Sequence, residues 1–248
     1  MKILLTNDDG YHAKGLQLLR RAMSSHELFV VAPDRERSAI SHAITLWEPL
    51  RAQALSETDY LSSGTPTDCA YLGLHGLLEA TPDCVLSGVN HGPNLGIDVL
   101  YSGTVAAAME AARLNVPTMA LSLATHRPSE KDWELVERML PEVFALFLTL
   151  QAELSGHVLN VNFPAAREGH TPALRMTHLG QVVYPQSIEE KQDPRGRPYY
   201  WIGGEPPRWG EDPQSDCGCV LGGDISITPL KLDMTDQTLL QKLREKLS

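Results

Sequence analysis

Apolar residues fall into two alternating textures over the first two thirds of the chain. Short continuous runs, Ile3-Leu4-Leu5, Leu28-Phe29-Val30-Val31-Ala32, Cys84-Val85-Leu86, Thr118-Met119-Ala120-Leu121-Ser122 and Val158-Leu159-Asn160-Val161-Asn162, read as buried strands. Between them the spacing turns helical. Leu16, Leu19 and Met23 share a face, Thr67 to Leu78 reads as a helix, and Val105 to Leu114 is rich in alanine. Trp133, Val136, Leu140, Val143, Phe144 and Phe147 trace one side of a long helix. Strand and helix in alternation predict an α/β fold with a mostly parallel sheet and helices on both faces.

The texture changes after Pro164, which divides a core of residues 1–164 from an extension of residues 165–248. Proline and glycine become frequent from Tyr184 to Gly223, around an aromatic, strand-like island at Arg197-Pro198-Tyr199-Tyr200-Trp201-Ile202. A protruding hairpin that serves as an oligomerisation arm, spanning Tyr184 to Trp201, fits this stretch better than a second core. Ile225 to Thr228 returns to strand. Leu239, Leu240, Leu243 and Leu247 then mark a terminal amphipathic helix expected to pack on the core. No internal repeat or low-complexity tract interrupts the pattern.

A length of 248 residues suits one large α/β domain with an appendage, and 42% hydrophobic residues supply its core. The formal charge of −10 argues against a nucleic-acid binder, so no stable nucleic-acid complex is expected. It leaves room for a small phosphorylated substrate, because a metal ion brings its own positive charge. No signal peptide and no apolar run of transmembrane length is seen, so the expected location is cytoplasmic and off the membrane. The four cysteines, Cys69, Cys84, Cys217 and Cys219, form no zinc pattern and read as free thiols.

The chemistry gathers in loops that follow strands, where open α/β sheets bind ligands. Asn7-Asp8-Asp9-Gly10 sets two carboxylates side by side after the first strand. If both are buried they need a cation, and Asp, Asn and hydroxyl oxygens suit a hard one such as Mg²⁺ or Mn²⁺. The same tetrapeptide is also good turn chemistry, and residue types alone leave both readings open. Ser38 and Asn90, in two further loops, are able to complete an oxygen set or to act simply as turn and cap residues. Ser102-Gly103-Thr104 enters a helix whose first N–H groups suit a phosphate, or equally an ordinary cap. His12, His42 and His91 lie in or beside these loops. Neither a Walker A sequence nor G-x-G-x-x-G follows the first strand, which weakens ATPase and dinucleotide readings.

Taken together the loops resemble the survival protein E (SurE) family of metal-dependent 5'/3'-nucleotidases. The matching pieces include Asn7-Asp8-Asp9-Gly10, Ala32-Pro33-Asp34-Arg35 with Arg37-Ser38, Gly64-Thr65-Pro66-Thr67-Asp68-Cys69, Ser87-Gly88-Val89-Asn90, Gly92-Pro93-Asn94-Leu95-Gly96 and Tyr101 to Glu110. Asn160-Val161-Asn162, Asp193-Pro194-Arg195-Gly196, Tyr200-Trp201-Ile202-Gly203 and Ile225 to Leu230 continue the match in the family's order.

The resemblance implies a Rossmann-like core, an extension exchanged between subunits as a homodimer or dimer of dimers, and one divalent ion per subunit on Asp8, Asp9, Ser38 and Asn90. Asp8 and Asp9 are then also the candidate catalytic groups, with either water attack or a phospho-aspartate open to them. Asn94, Ser102, Gly103 and Thr104 are the candidates for phosphate binding. The implied activity is hydrolysis of nucleoside 5'-monophosphates, with 3'-monophosphates as a further class. Its rivals are a metal-dependent nucleotide-sugar transferase and a non-catalytic nucleotide sensor. One departure is Ala39, where the family usually has glycine after the serine, which puts the loop geometry in question.

Overall fold

A computed structural model describes residues 1–185, 188–203 and 206–247. In chain order the elements are β1 (Lys2–Thr6), α1 (Lys14–Ala22), β2 (Glu27–Pro33), β3 (Ala52–Ala54), β4 (Asp59–Ser62), α2 (Pro66–Leu72), β5 (Cys84–His91), α3 (Gly103–Arg113), β6 (Thr118–Leu123), α4 (Glu130–Leu150) and β7 (His157–Phe163). There follow β8 (Leu174–Met176), β9 (Val182–Val183), β10 (Ile188–Gln192), β11 (Pro198–Ile202), β12 (Arg208–Trp209), α5 (Asp216–Gly222), β13 (Ile225–Lys231) and α6 (Gln237–Leu247).

Nine strands form one sheet in the order β3-β4-β2-β1-β5-β6-β7-β13-β8. The run from β4 to β7 is parallel, while β3 and β13 pair antiparallel with β4 and β7. The chain moves outward from β1 through β2, then returns to β5 on the other side of β1. The order therefore reverses between β1 and β5, and a crevice opens there beyond the strands' carboxyl ends.

Alternation along β1 shows how the sheet acquires two covered faces. Ile3 and Leu5 join a core with Leu16 and Leu19 of α1 and with Val136, Leu140 and Phe147 of α4. Leu4, between them, points the other way, into a cluster with Cys69 of α2 and Ala111 of α3. Phe147 is fully buried, and cutting such a side chain back to alanine typically costs about 3–5 kcal/mol. The α/β fold with helices on both faces is thus as the pattern predicts.

The local differences have local causes. The helix expected from Thr67 to Leu78 stops at Leu72, and Gly73–Leu77 widen into a π turn. Two glycines, poor helix formers, sit in that turn, and Gly73 packs directly against Leu4. The short helix α5 escaped the hydrophobic pattern, although Ser215 caps it and Gly223 ends it in the left-handed region. β10 and β11 pair as an antiparallel hairpin outside the main sheet, with every residue exposed. Gln186 and Ser187, inside the stretch read as an arm, lie outside the described residues. Helix α6 forms, but it buries no residue, and Leu239, Leu243 and Leu247 are exposed rather than packed on the core as expected. Among the described residues no helix is long and apolar enough to cross a membrane. All four cysteines are unpaired and buried, and burial raises the Cys69 and Cys84 thiols to about 12, which leaves them unreactive.

Candidate active site

The tight turn after β1 presents the two carboxylates. Asn7 donates from Nδ2 to the Gly10 carbonyl at 2.9 Å, and Gly10 takes a left-handed φ of 98°. The Arg37 N–H donates to the Asp8 carbonyl at 2.8 Å, which ties this turn to the loop that carries Ser38. Asp8 is 4% exposed. Burial first, and then the neighbouring Asp9, raise its pKa to about 7, while hydrogen bonds from Thr104 pull the other way. Asp9 rises to about 6, chiefly through burial with a contribution from Glu36, against a hydrogen bond from the His91 N–H at 2.9 Å. Among the described residues neither carboxylate has an ion-pair partner. Two adjacent carboxylates, one buried and one half-buried, without a cation favour protonation unless a positive charge joins them.

A cavity of about 570 Å³ lies over this turn. Asp8, Ser38 and Asn90 line it together, as do Asn94 and Ser102. Asp9 does not line it. Asn90 is aimed by an irregularity in β5: Ser87 pairs with Ala120 but Asn90 with Ser122, so β5 carries one extra residue there. Gly88 makes this possible. Its φ is 136°, and a Cβ on it would lie 2.3 Å from the Leu121 carbonyl oxygen. Asn90 donates from Nδ2 to the Gly92 carbonyl at 2.9 Å, which leaves Oδ1 available as a ligand. Ser38 is exposed and donates to Glu36 at 2.9 Å, with its lone pairs still free. Ala39 adopts a φ of 55°, the conformation that its Cβ disfavours.

The donor set fits a hard divalent ion. Among the described residues no cluster of three or more His, Cys, Asp or Glu is present. A cation here would rest on two carboxylates with neutral hydroxyl and amide oxygens, the ligands that suit Mg²⁺ or Mn²⁺.

The helix entry does different work from the one its sequence suggests. Ser102 caps α3 by accepting from the Val105 N–H at 3.1 Å, and it lines the cavity. Thr104 is fully buried, and its hydroxyl donates to Asp8 Oδ1. Gly103 matters through packing: a Cβ there would lie 2.9 Å from Asp8 Cβ and 2.9 Å from Pro66 Cγ. Gly103 and Thr104 therefore act on Asp8 rather than lining the cavity themselves. Asn94 lines it, but its Nδ2 donates to Ser122 at 2.8 Å.

Sequence reading alone missed what holds Asn94 in place. Asn160 and Asn162 both donate to the Asn94 carbonyl, and Asn162 Oδ1 accepts from its N–H at 2.9 Å. The signal was present: two asparagines two residues apart, facing one way on an otherwise apolar buried strand, require partners. Asp216 similarly accepts from the Gly96 and Gly180 N–H groups. Of the histidines near the loops, His91 lines the cavity and its ring meets Trp133 edge-on. His42 instead pairs with Glu110 at 2.8 Å, and His12 meets Tyr11 edge-on.

Comparison with known proteins places the chain in a family. The family described as survival protein SurE matches residues 3–186. A 5'-nucleotidase SurE of Anaeromyxobacter sp. (strain Fw109-5) is 50% identical over 247 residues, covering 98% of this chain and 95% of that protein. One from Desulforudis audaxviator (strain MP104C) is 45% identical over 255 residues, covering 99% and 97%. The crystal structure of the SurE protein from Aquifex aeolicus superposes with a TM-score of 0.85 at 36% identity, over the whole of both chains. With the site placed at the sheet's reversal point and the likeness running the full length, this chain belongs to the SurE family.

Proposed function

We propose that this chain is a metal-dependent nucleotidase that hydrolyses nucleoside 5'-monophosphates, and 3'-monophosphates as a further class, to nucleoside and inorganic phosphate. The observation that carries the reading is the adjacent pair Asp8 and Asp9, one buried on the wall of a substrate-sized cavity and one half-buried beside it, without a cationic partner among the described residues. Its relatives bear the name 5'-nucleotidase SurE. Asp8, Asp9, Ser38 and Asn90 would hold one divalent ion, Mg²⁺ or Mn²⁺, which when bound neutralises charge on the phosphoryl group and acidifies water.

The remaining work falls to the chain itself. Thr104 fixes the rotamer of Asp8, and the His91 N–H fixes that of Asp9, so both carboxylates are oriented before substrate arrives. Ser102 lines the cavity at the start of α3, where the helix's partial positive charge favours the phosphate oxygens. Asn94, clamped by Asn160 and Asn162, holds its loop as the opposite wall. The exposed hairpin of β10 and β11 is the arm through which two copies associate, as a dimer or dimer of dimers.

The deciding experiment is inorganic phosphate release from a panel of nucleoside monophosphates, with and without EDTA. Release that stops with EDTA and returns with Mn²⁺ or Mg²⁺ is expected. Undiminished turnover in the chelated sample would refute the metal, and nucleotide binding without release would make the protein a sensor.

A further inference from the structure

A second polar cavity, of about 320 Å³, sits beside the loop that carries Ser38, and it shares no lining residue with the cavity over Asp8. Three arginines, Arg35, Arg37 and Arg51, line it, with Asp34 and Glu48 as the acidic lining residues. In a chain of net charge −10 this is a local excess of positive charge.

Two of the three arginines are held in place from one residue. Ser63 donates its N–H to the Arg51 carbonyl at 2.9 Å and accepts the Arg51 N–H on its Oγ at 3.1 Å. Its own carbonyl accepts from the Arg37 guanidinium at 2.6 Å. Ser63 thus fixes the backbone of Arg51 and the side chain of Arg37 in the same wall. Arg37 meets Asp34 only at 3.5 Å, and neither Arg35 nor Arg51 has an ion pair among the described residues. The Arg37 Nε is buried and has no hydrogen-bond partner among the described residues. A buried donor of a charged group left unpaired is costly, and an oxyanion would satisfy it.

We propose that this cavity binds a phosphate group through Arg35, Arg37 and Arg51. A tetrahedral anion has acceptor oxygens facing several directions, which suits donors from separate segments of chain, and guanidinium groups match phosphate geometry. The phosphate is either the free inorganic ion or a second phosphate carried by a nucleotide. The Arg37 N–H bond to the Asp8 carbonyl makes the site continuous with the turn that bears the metal candidates. Binding here does not depend on the nucleotidase reading, because it is measured without metal.

The test is calorimetric titration of inorganic phosphate into the full chain in EDTA. Saturable binding is expected that weakens with added salt. Arg51→Gln should weaken it about tenfold, the loss of one charge-assisted hydrogen bond. Arg51→Lys should retain part of the affinity, and Arg35→Gln is a second variant if Arg51→Gln fails to melt like the parent. No saturable binding by the parent, or equal affinity in the parent and both Gln variants, overturns the proposal. A nucleoside 3',5'-bisphosphate titrated in parallel identifies the source. A larger loss for the bisphosphate than for inorganic phosphate on Arg51→Gln assigns the site to a nucleotide's second phosphate, and equal losses assign it to the free ion.

Discussion

In the crevice beyond β1 and β5 three of the functional groups are held by distant parts of the chain. Asp8 is braced by Thr104, Asp9 by His91 and Asn94 by Asn160 and Asn162, partners between 66 and 96 residues away in sequence. In the hairpin of β10 and β11 the bonds are local. Ile188 faces Ile202, Glu190 faces Tyr200, and Asp193 closes the turn onto Arg195 and Arg197. Trp201 is 60% exposed and Ile202 is 93% exposed. The crevice achieves preorganisation by burying charge, whereas the hairpin keeps its shape locally and leaves apolar surface uncovered. One region therefore lacks a cation and the other lacks a partner surface.

The sharpest way to break this contrast is Asp8→Asn. It keeps the shape of the side chain and removes a charge the fold holds at a cost. Turnover should fall at least about a hundredfold, the scale of losing one strong electrostatic contact of about 2.7 kcal/mol. The metal-free variant should melt no lower than the parent. A variant that kept its turnover, or melted well below the parent, would show that Asp8 is a structural residue with a satisfied charge.

The second effect is on stability against pH. Asp8 and Asp9 have folded pKa values of about 7 and about 6, above the ordinary carboxylate value of 3.8. Between those limits the folded state binds more protons than the unfolded one. The contribution of Asp8 and Asp9 to the stability of the metal-free protein should therefore be fullest near pH 4 and decline as pH rises toward 7, by up to about 1.4 kcal/mol per pH unit for each of the two carboxyls, against the opposite slope of the lowered Glu110, Asp132 and Asp224. This is the reverse of a salt-bridged carboxylate. Saturating Mn²⁺ should flatten the decline, and Asp8→Asn should reduce it. Chemical denaturation at about pH 4.5, 6 and 7.5, with EDTA or Mn²⁺, measures the effect after comparison with Asp8→Asn at each pH.

The same contrast explains how much was legible in the sequence. Continuous apolar runs and helical spacing revealed the parallel strands and the large helices, because burial on both faces leaves a long signal. Asp59 to Ser62 forms a strand only four residues long with a polar residue at each end, so β4 left no such trace. Asp8, Ser38, Asn90, Asn94 and Ser102 were recognisable as loop chemistry, and the structure brings them to one cavity. The role of Thr104 was not legible. A hydroxyl at a helix entry looks the same whether it meets a phosphate or a carboxylate from 96 residues earlier. Nor does a sequence indicate that the leucines of α6 stay exposed, since an amphipathic stripe has the same pattern on its own core as on another surface.

A smaller effect belongs to Ala39, beside Ser38, with a φ of 55°. Left-handed backbone costs an L-residue about 1–2 kcal/mol. Ala39→Gly removes that cost but adds freedom to the unfolded chain, worth about 0.4–1 kcal/mol. The net expectation is stabilisation of about 1 kcal/mol or less, with metal affinity unchanged or slightly higher. Thermal melts of the two chains side by side check it. A destabilised Ala39→Gly would mean that the Ala39 methyl contributes packing that offsets its strain.

The smallest effect on the core should come from the largest change to the chain, deletion of Val183 to Ile202. β10 and β11 bury none of their residues, so removing them takes little apolar surface from the folded monomer. Val183, Tyr184 and Ile202 are exceptions: Val183 pairs with Arg208, the Tyr184 hydroxyl donates to Asp98 at 2.7 Å, and Tyr184 and Ile202 line the cavity over Asp8. The Tyr184 bond is exposed, and its loss should cost about 1 kcal/mol or less. Metal affinity and the pH response of Asp8 should persist. Assembly should not, because aromatic side chains of this kind form subunit contacts and a lone hairpin is marginal in water without a partner surface. Light scattering on the intact chain and on the deletion separates the two roles. An intact chain that is monomeric at micromolar concentration, or a deletion that still associates, would remove the arm from assembly. A deletion that lost metal binding would show that hairpin and crevice are one unit.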